Sequence, residues 1–354
     1  MKSIKSLSSL FYVAVMALVI SSLTAFNPVA TFSVLFLMSF FMPRNMAFMA
    51  VTKEIWTKDI VDNLFKDNQF ALRAFNADIY VLLGKVVHIP VAGAPSQVKK
   101  NLTEFPATAT KRTDSDVTYA IDTFYSMPRH IEKIEQYELE YDKRQSVLGE
   151  DQGNLIDTAC DSLLWRWLPA AANCIETEGA AVAATLDGAT GNRKAFTKAA
   201  FSKIKLKLDK AKIPAAGRVA LLTADHYNQF LESLSDAERT DVGRVADMST
   251  GVVGKYLGIE IMMRSSVGRY RGADLANVAK VDEQDEAYAA GVNDRAASLF
   301  WHEKSVERAK GAVEMFDKTD DPQYYGDIYS MLLRLGGRIR RTAGVYAVVE
   351  ALSA

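Results

Sequence analysis

Between residues 148 and 168 the apolar side chains of Leu148, Leu155, Ile156, Ala159, Cys160, Leu163, Leu164, Trp167 and Leu168 recur at three-four spacing, and Pro169 ends the run. That period lines one face of a long helix. Proline stops it because it lacks the N–H an interior turn needs and its ring clashes with the preceding turn. A helix with so long an apolar stripe has to lie along another layer of the same protein. Gly149 and Gly153 weaken its first turns. Just upstream, Tyr137, Leu139 and Tyr141 alternate as in a strand. Asp142 precedes Arg144 by two residues, the wrong offset for a same-face helical pair, so "ELEYDKR" reads as a solvated or interface surface.

Ahead of the helix, "GKVVHIP" (84–90) is a strand, residues 92–118 are a polar stretch rich in Thr and Ser, and "VTYAIDTFYSMP" returns as a strand through Tyr119 and Ile121. Two strands joined by so long a polar connection make a protruding hairpin. With no catalytic residue on it, a contact arm is the simplest reading. Still earlier, "TKEIWTKDIVDNLF" gives a short amphipathic helix through Ile55, Ile60, Val61, Leu64 and Phe65 behind a Thr52 cap.

After the long helix, Phe201, Ile204, Leu208 and Ala211 mark a second amphipathic helix. Pro214 and Gly217 then punctuate a turn into the buried strand 219–222, and Thr223 or Asp225 caps a helix with Tyr227, Phe230, Leu231 and Leu234 on one face. Residues 256–264 and 296–301 read as strands, "SVERAKGAVEMF" begins as a short helix, and "DIYSMLLRLGGRIRRTAGVYAVVEA" gives two strand-like runs. The alternation is that of an α+β layered domain whose last strands return to an earlier layer.

Chemistry is hard to place on this frame. His88, His130, His226 and His302 stand singly, with no HExxH or His-Cys cluster, and the strand-to-helix turn at 223–225 is no nucleophile elbow. An enzyme would have to use Asp225 and His226. "GVVGKY" (251–256) has too short a glycine spacing for a phosphate loop, and Tyr256 stands where a hydroxyl should meet magnesium. "GATGNRK" (188–194) reads as a flexible connection. Cys160 and Cys174 are expected to be reduced, buried thiols, since no further ligands accompany them. No catalytic, cofactor-binding or metal-binding residue is therefore expected, and no cofactor. The 42 Lys+Arg against 43 Asp+Glu leave a net charge of -1, without the basic excess of a dedicated nucleic-acid reader.

Residues 6–43 carry no charge, with Lys2 and Lys5 before them and Arg44 after. Three readings fit: a cleaved leader or anchor, a hydrophobic arm used in assembly, or an extension ahead of a start at Met46 or Met49. A mature chain without residues 1–45 is expected, because such a run on every copy of an assembling protein is an aggregation hazard.

The order of these parts resembles the major capsid proteins of tailed bacteriophages, which have the Hong Kong 97-type fold. The likeness spans residue 51 to the C-terminus. It rests on "GKVVHIPVAG", "YAIDTFYSMPRHIEKIEQYELEYDKRQSVL", "IPAAGRVALLTADHYNQFL", "TGVVGKYLGIEIMMRSSV", "ASLFWHEKSVERA" and "DPQYYGDIYSMLLRLGGRIRR", in that order. It implies an α+β chain divided into a hydrophobic leader or non-native extension (1–45), an N-terminal arm (46–83), an extended loop (84–130), a peripheral domain with the spine helix (131–199), an axial domain (200–318) and C-terminal strands returning to the peripheral domain (319–354). It also implies a structural protein of the virion that self-assembles as pentamers and hexamers into an icosahedral shell around double-stranded DNA, which it touches non-specifically. Scaffold, portal and decoration proteins are the further partners. Assembly in the host cytoplasm agrees with reduced cysteines and clashes with a secretory leader.

A membrane-anchored bacterial envelope protein tethered by residues 6–42 and an encapsulin-like cargo compartment are the alternatives. A membrane is a partner only if residues 1–45 are retained. The expected intersubunit contacts are Lys99, Lys100, Lys111, Arg112 and Asp114 on the hairpin and Arg338, Arg340 and Arg341 near the C-terminus. For the arginines, carboxylates across an interface are favoured over DNA, because guanidinium forks suit bidentate pairing.

Overall fold

The computed structural model describes residues 68–82, 86–91, 100–101, 111, 115–132, 143–247, 250–285 and 287–353. The expected helix at 52–65, the alternation at 137–141 and the apolar run at 1–45 lie outside them. Along the chain come β1 (Phe75–Asn76), β2 (Val81–Leu82), β3 (Val86–Val91), β4 (Ser115–Ala120), β5 (Asp122–Tyr125), β6 (Arg129–Glu132) and the long helix α1 (Lys143–Trp167). Next are β7 (Cys174–Glu176), β8 (Ala181–Ala183), β9 (Asn192–Lys194), α2 (Lys198–Lys210), β10 (Arg218–Thr223), α3 (Ala224–Glu232) and α4 (Asp236–Gly243). Then follow β11 (Val252–Tyr256), β12 (Ile259–Arg264), β13 (Gly268–Arg271), β14 (Ala279–Val281), β15 (Asp294–His302), β16 (Val306–Asp321), β17 (Gly326–Ile339), β18 (Val345–Val349) and β19 (Leu352–Ser353).

Two sheets carry the fold. An eight-stranded mixed sheet runs β11-β12-β10-β15-β13-β14, with β18 on β15 and β7 on β18. All nine residues of β15 are buried, as befits a central strand covered on both faces. One face is capped by α2 and α3 through an aromatic cluster, with Phe201 4.7 Å from Phe230 and 5.1 Å from Phe300 between ring centroids. Thr223 caps α3 by accepting from the His226 N–H, so the sequence placed this strand-to-helix turn correctly. A five-stranded sheet holds β1, β16, β17, β5 and β6, and the hairpin β3-β4 is in register from Val86 opposite Ala120 to Val91 opposite Ser115. The two C-terminal strands part company: β17 belongs to the five-stranded sheet and β18 to the eight-stranded one.

Helix α1 joins these layers. It is 25 residues long and lies against β17 with Leu155, Ile156, Ala159, Cys160, Leu163, Leu164 and Trp167 buried. Its C-terminal end reaches the other sheet, where the Trp167 and Trp301 rings lie 5.7 Å apart and the Tyr270 hydroxyl donates to the Pro169 carbonyl at 2.6 Å. Both cysteines are free and buried, and burial pushes the Cys160 thiol up to about 12. No helix among the described residues is long and apolar enough to cross a membrane.

Three local readings of the sequence are corrected. "SVERAKGAVEMF" is not helical but the first part of β16. Val306, Ala309, Val313 and Phe316 mimic a helical spacing because a register shift between Lys310 and Val313 interrupts the strand's alternation, and pairing with β17 overrides the local pattern. Residues 256–264 are not one strand: Leu257 (φ 49°) and Gly258 (φ 83°) form a two-residue turn between β11 and β12, the left-handed pair a tight hairpin requires. Residues 188–194 are not merely a flexible link. Gly188 and Gly191 turn the chain with positive φ into β9, where Arg193 is buried and donates to the carbonyls of Thr190, Val292 and Asp294.

Gly337 lies where α1 meets β17, and an added Cβ would sit 2.5 Å from Leu163 Cδ1 and 2.9 Å from Trp167 Nε1. Gly337→Ala is expected to destabilise the chain by about 1–3 kcal/mol through overpacking, read as a lower urea midpoint at unchanged slope. At α4, Ser235 and Glu238 form a capping box. The Lys198 ammonium, joined by the Ser235 backbone N–H and hydroxyl, lowers the Glu238 carboxyl from 4.5 to about 2. A depressed carboxyl stabilises above its unfolded value and loses that contribution as pH falls toward the folded one. Amide protection at the start of α4, measured against the intrinsic exchange rate at each pH, is therefore expected to fall between pH 4.5 and about 2. Glu238→Gln should flatten that profile.

Candidate assembly surface

Glu307 is the charged centre of the region that holds the hairpin. Its side chain is fully buried, yet Arg338 Nε lies 2.5 Å from one carboxylate oxygen and Arg340 Nε 3.2 Å from the other. Arg338 is its directly opposite partner on β17, so the pair shares one face of the sheet. The Arg338 guanidinium also lies 5.5 Å from the Tyr119 ring on β4, and that of Arg340 4.1 Å from the Phe75 ring on β1. Burial, then the Glu307 charge, pushes the Tyr119 phenol well above its ordinary value. The Glu307 backbone carbonyl accepts from Trp167 Nε1 at 3.0 Å. Around this point Ala77, Val87, Ile89, Ile121 and Ala309 pack as a small core, so the root of the hairpin is fastened by apolar contact and by charge.

Beyond the root the surface changes. Lys100 and Lys111, on the long connection between β3 and β4, are exposed. Lys99, Arg112 and Asp114 lie outside the described residues. Where the sequence suggested carboxylates of a neighbouring copy for Arg338 and Arg340, both are engaged with Glu307 of their own chain. Arg341 is exposed, and its backbone N–H donates to the Ser305 carbonyl at 3.1 Å. Nothing local in "SVERAK" marks Glu307 as the carboxylate these arginines would find; only the register of β16 on β17 reveals it.

A second feature is an open groove of about 600 Å³ between the β5-β6 corner and α1, lined by Tyr125, Met127, Arg129, Asp151, Leu155 and Thr158 among others. Tyr125 is 69% and Met127 84% exposed, and the Arg129–Asp151 ion pair, at 3.2 Å, forms part of the wall. At the β16-β17 tip Tyr324 and Tyr325 are also exposed, the latter at φ 52°, and the Tyr324 ring lies 5.6 Å from that of His130. Single exposed apolar residues are ordinary, but this end of the sheet collects several.

His226, which the enzyme reading singled out, is sealed inside. Nδ1 lies 2.7 Å from Ser298 Oγ, Nε2 lies 3.4 Å from Glu350 Oε1, and all three residues are at most 2% exposed. The set has the atoms of a charge-relay triad without access for a substrate, whereas Asp225 points its residue surface to solvent. Its evident work is to tie α3 to β15 and the chain's last strands.

No family model matches the sequence, and neither does any curated protein. Solved structures do. A structure from Mycobacterium phage Che8 aligns at TM-score 0.51 and 15% identity over 79% of this chain and 90% of that one. The capsid of cyanophage P-SCSP1u aligns at 0.54 and 17% identity over 79% and 87%, and that of Ralstonia phage GP4 at 0.53 and 12% over 80% and 88%. The fold is thus one that phages use for capsids. In particular, it is the Hong Kong 97-type fold, in its mixed α+β form with a spine helix and an extended hairpin.

Removing the two cations and removing the anion at the hairpin root are not equivalent. Arg338→Met with Arg340→Met strands a buried carboxylate and is expected to cost about 3–5 kcal/mol. Glu307→Gln leaves two arginines that are 24% and 32% exposed and can take up water, so it should cost less. Urea denaturation of both variants gives the order directly.

Proposed function

We propose that this chain is a major capsid protein, copies of which self-assemble into an icosahedral shell enclosing double-stranded phage DNA. The observation that carries the reading is the capsid fold itself, aligned over about four-fifths of the chain and nearly nine-tenths of the cyanophage capsid chain. The hairpin supports it: the root is anchored in its own subunit, while residues 92–114 are polar and have little apolar material to bury there. Ordering such a segment costs backbone entropy that contacts with another copy would offset.

In this reading residues 46–83 act as the N-terminal arm and 84–130 as the extended loop. Residues 131–199 and 319–354 make the peripheral domain, and 200–318 the axial one. The role is structural and not catalytic, and the chain's place is in the virion after assembly in the host cytoplasm. Its partners are copies of itself in pentamers and hexamers, with Lys99, Lys100, Lys111, Arg112, Asp114 and Arg341 among the contacts and Arg338 and Arg340 setting the hairpin's angle. Scaffold, portal and decoration proteins complete the particle, and DNA is held without sequence preference. The near-neutral charge suits close packing, since strongly like-charged subunits repel.

Replacing residues 94–115 by a short Gly-Ser turn tests the arm. The expected product is a soluble, folded monomer or small oligomer with nearly unchanged melting, while the parent forms large closed particles in ultracentrifugation and electron microscopy, alone or with a scaffold. Parent-like particles from the shortened chain would refute the contact role of the loop. A parent that never assembles, scaffold included, would refute the capsid reading.

A further inference from the structure

Three stretches far apart in sequence meet around Ser305. Its carbonyl accepts the backbone N–H groups of Arg340 at 2.8 Å and Arg341 at 3.1 Å, so the link from β17 to β18 is tied to the turn between β15 and β16. The same turn is tied to the loop after α2, where the Glu303 N–H donates to the Gly217 carbonyl at 2.9 Å. Gly344 closes the corner: a Cβ there would meet Ser305 and come within 3.7 Å of Ile213 Cδ1. Lys210 and Lys212, at the end of α2 and just past it, and Lys304, in the turn, are all exposed. The Lys207 ammonium leans over the Tyr346 ring of β18, 5.5 Å from its centroid.

Charge is uneven along α2. Six lysines lie between residues 198 and 212. Toward the N-terminal end they are compensated, Lys198 by Glu238 at 2.9 Å and Lys203 by Glu178. At the other end the carboxylates serve other cations: Asp209, 3.9 Å from Lys205, pairs with buried Arg218 at 2.7 Å, and Glu303 pairs with Arg73 at 3.1 Å. Each such pair is close to neutral, so Lys210, Lys212 and Lys304 set the sign of the corner. Lysines in a last helical turn complement the helix dipole, which accounts for Lys207 and Lys210. It does not account for Lys212 or Lys304, which lie outside the helix and join it only through the tertiary fold.

We propose that this corner is the surface on which the chain holds the phosphate backbone of the DNA it encloses, an inference that rests on the capsid reading and adds where the contact is made. A lysine ammonium is a compact, hydrated charge on a flexible stem. Several on one corner can follow a phosphate backbone in any register, whereas the carboxylates of a neighbouring copy stand at fixed places and favour guanidinium forks. Arg341, exposed beside the lysines, keeps the intersubunit role given above. The net charge of -1 is no obstacle, because a phosphate responds to charges within a Debye length, about 10 Å at 0.1 M salt. Contacts to phosphate carry no sequence information, in keeping with a shell that packages whatever DNA it is given.

Titrating the full chain with a short labelled DNA duplex over a range of salt, read by fluorescence anisotropy, tests the corner. Each phosphate contact given up removes about 0.9 from the slope of log K against log salt. Lys210→Gln with Lys212→Gln and Lys304→Gln is therefore expected to flatten the slope by about 2–3 and to weaken binding at about 0.1 M salt by roughly tenfold or more. Lys194→Gln with Arg244→Gln and Lys255→Gln removes the same charge from exposed residues elsewhere, and its slope is expected to stay within about one of the parent's. All six positions are exposed, and unchanged circular dichroism identifies a folded chain. Equal loss from both triple variants, no loss from the corner triple, or a parent that does not hold the duplex at low salt overturns the proposal. A corner triple that binds the duplex like the parent but no longer associates with other copies also overturns it and gives the surface to a neighbour's carboxylates. Particles that form while the corner triple binds DNA normally refute the corner and leave the shell standing. A flattened slope in a chain that never assembles, scaffold included, refutes the shell and leaves the corner.

Discussion

The hydrogen bond from the Trp167 indole to the Glu307 carbonyl sits where the architecture is decided. At that point the spine helix α1 touches the strand that carries the hairpin's anchor, and the same indole packs edge-on to Phe70 and beside Trp301 of the other sheet. Gly337 opposite leaves room for the approach. The Glu307 side chain points the other way, into its two arginines, so backbone and side chain of one residue serve both faces of a sheet. A buried carboxylate is costly unless paired, and here the pairing doubles as a register mark. A one-residue slip of β17 on β16 would turn Arg338 toward the apolar face of α1.

This arrangement separates two tasks within the fold. The eight-stranded sheet and its aromatic layer supply ordinary globular stability, with apolar residues on both faces of β15. The five-stranded sheet supplies direction: it fixes where the hairpin root emerges and which exposed groups accompany it. Charges inside the subunit are largely spent on such positioning. Asp294, for example, is fully buried between Arg269 and Arg271, at 3.3 and 2.5 Å, and Arg295 reaches Glu176 at 2.9 Å. Among the described residues Tyr125, Tyr324, Tyr325, Lys100 and Lys111 are exposed, groups suited to many moderate contacts in place of one deep pocket.

What the sequence disclosed follows what physics makes local. The stripe of α1, the period of α2 and the Thr223 cap are set within a few residues, and all three stand in the structure where the spacing places them. The hairpin was legible from two short strands around a polar stretch. The misreadings arose where a distant strand decides. Β-bulging at Lys310/Val313 gave β16 a helical spacing, and β9 is a strand only because β8 and β19 flank it. Buried charges were illegible for the same reason, since Arg193 and Glu307 look like solvated residues until the strands beside them are known. The arginine cluster was found, but its carboxylate was sought in another molecule when it lay in the same chain.

The five-stranded sheet also sets a schedule. Arg73, just ahead of β1, pairs with Glu303, 230 residues later, and β5 and β6 wait for β17. Contacts so distant in sequence are slow to form. During synthesis, at about 5–20 residues per second, the first strand of this sheet waits roughly 10–50 s for its neighbour to leave the ribosome. Until β16 and β17 have emerged, the hairpin has no fixed root and α1 no sheet to lie on. A chain cut short before residue 306 therefore lacks any means of aiming its hairpin, whatever the state of its other sheet. Completion of translation is thereby coupled to the fixing of the hairpin root, which a truncated chain cannot achieve.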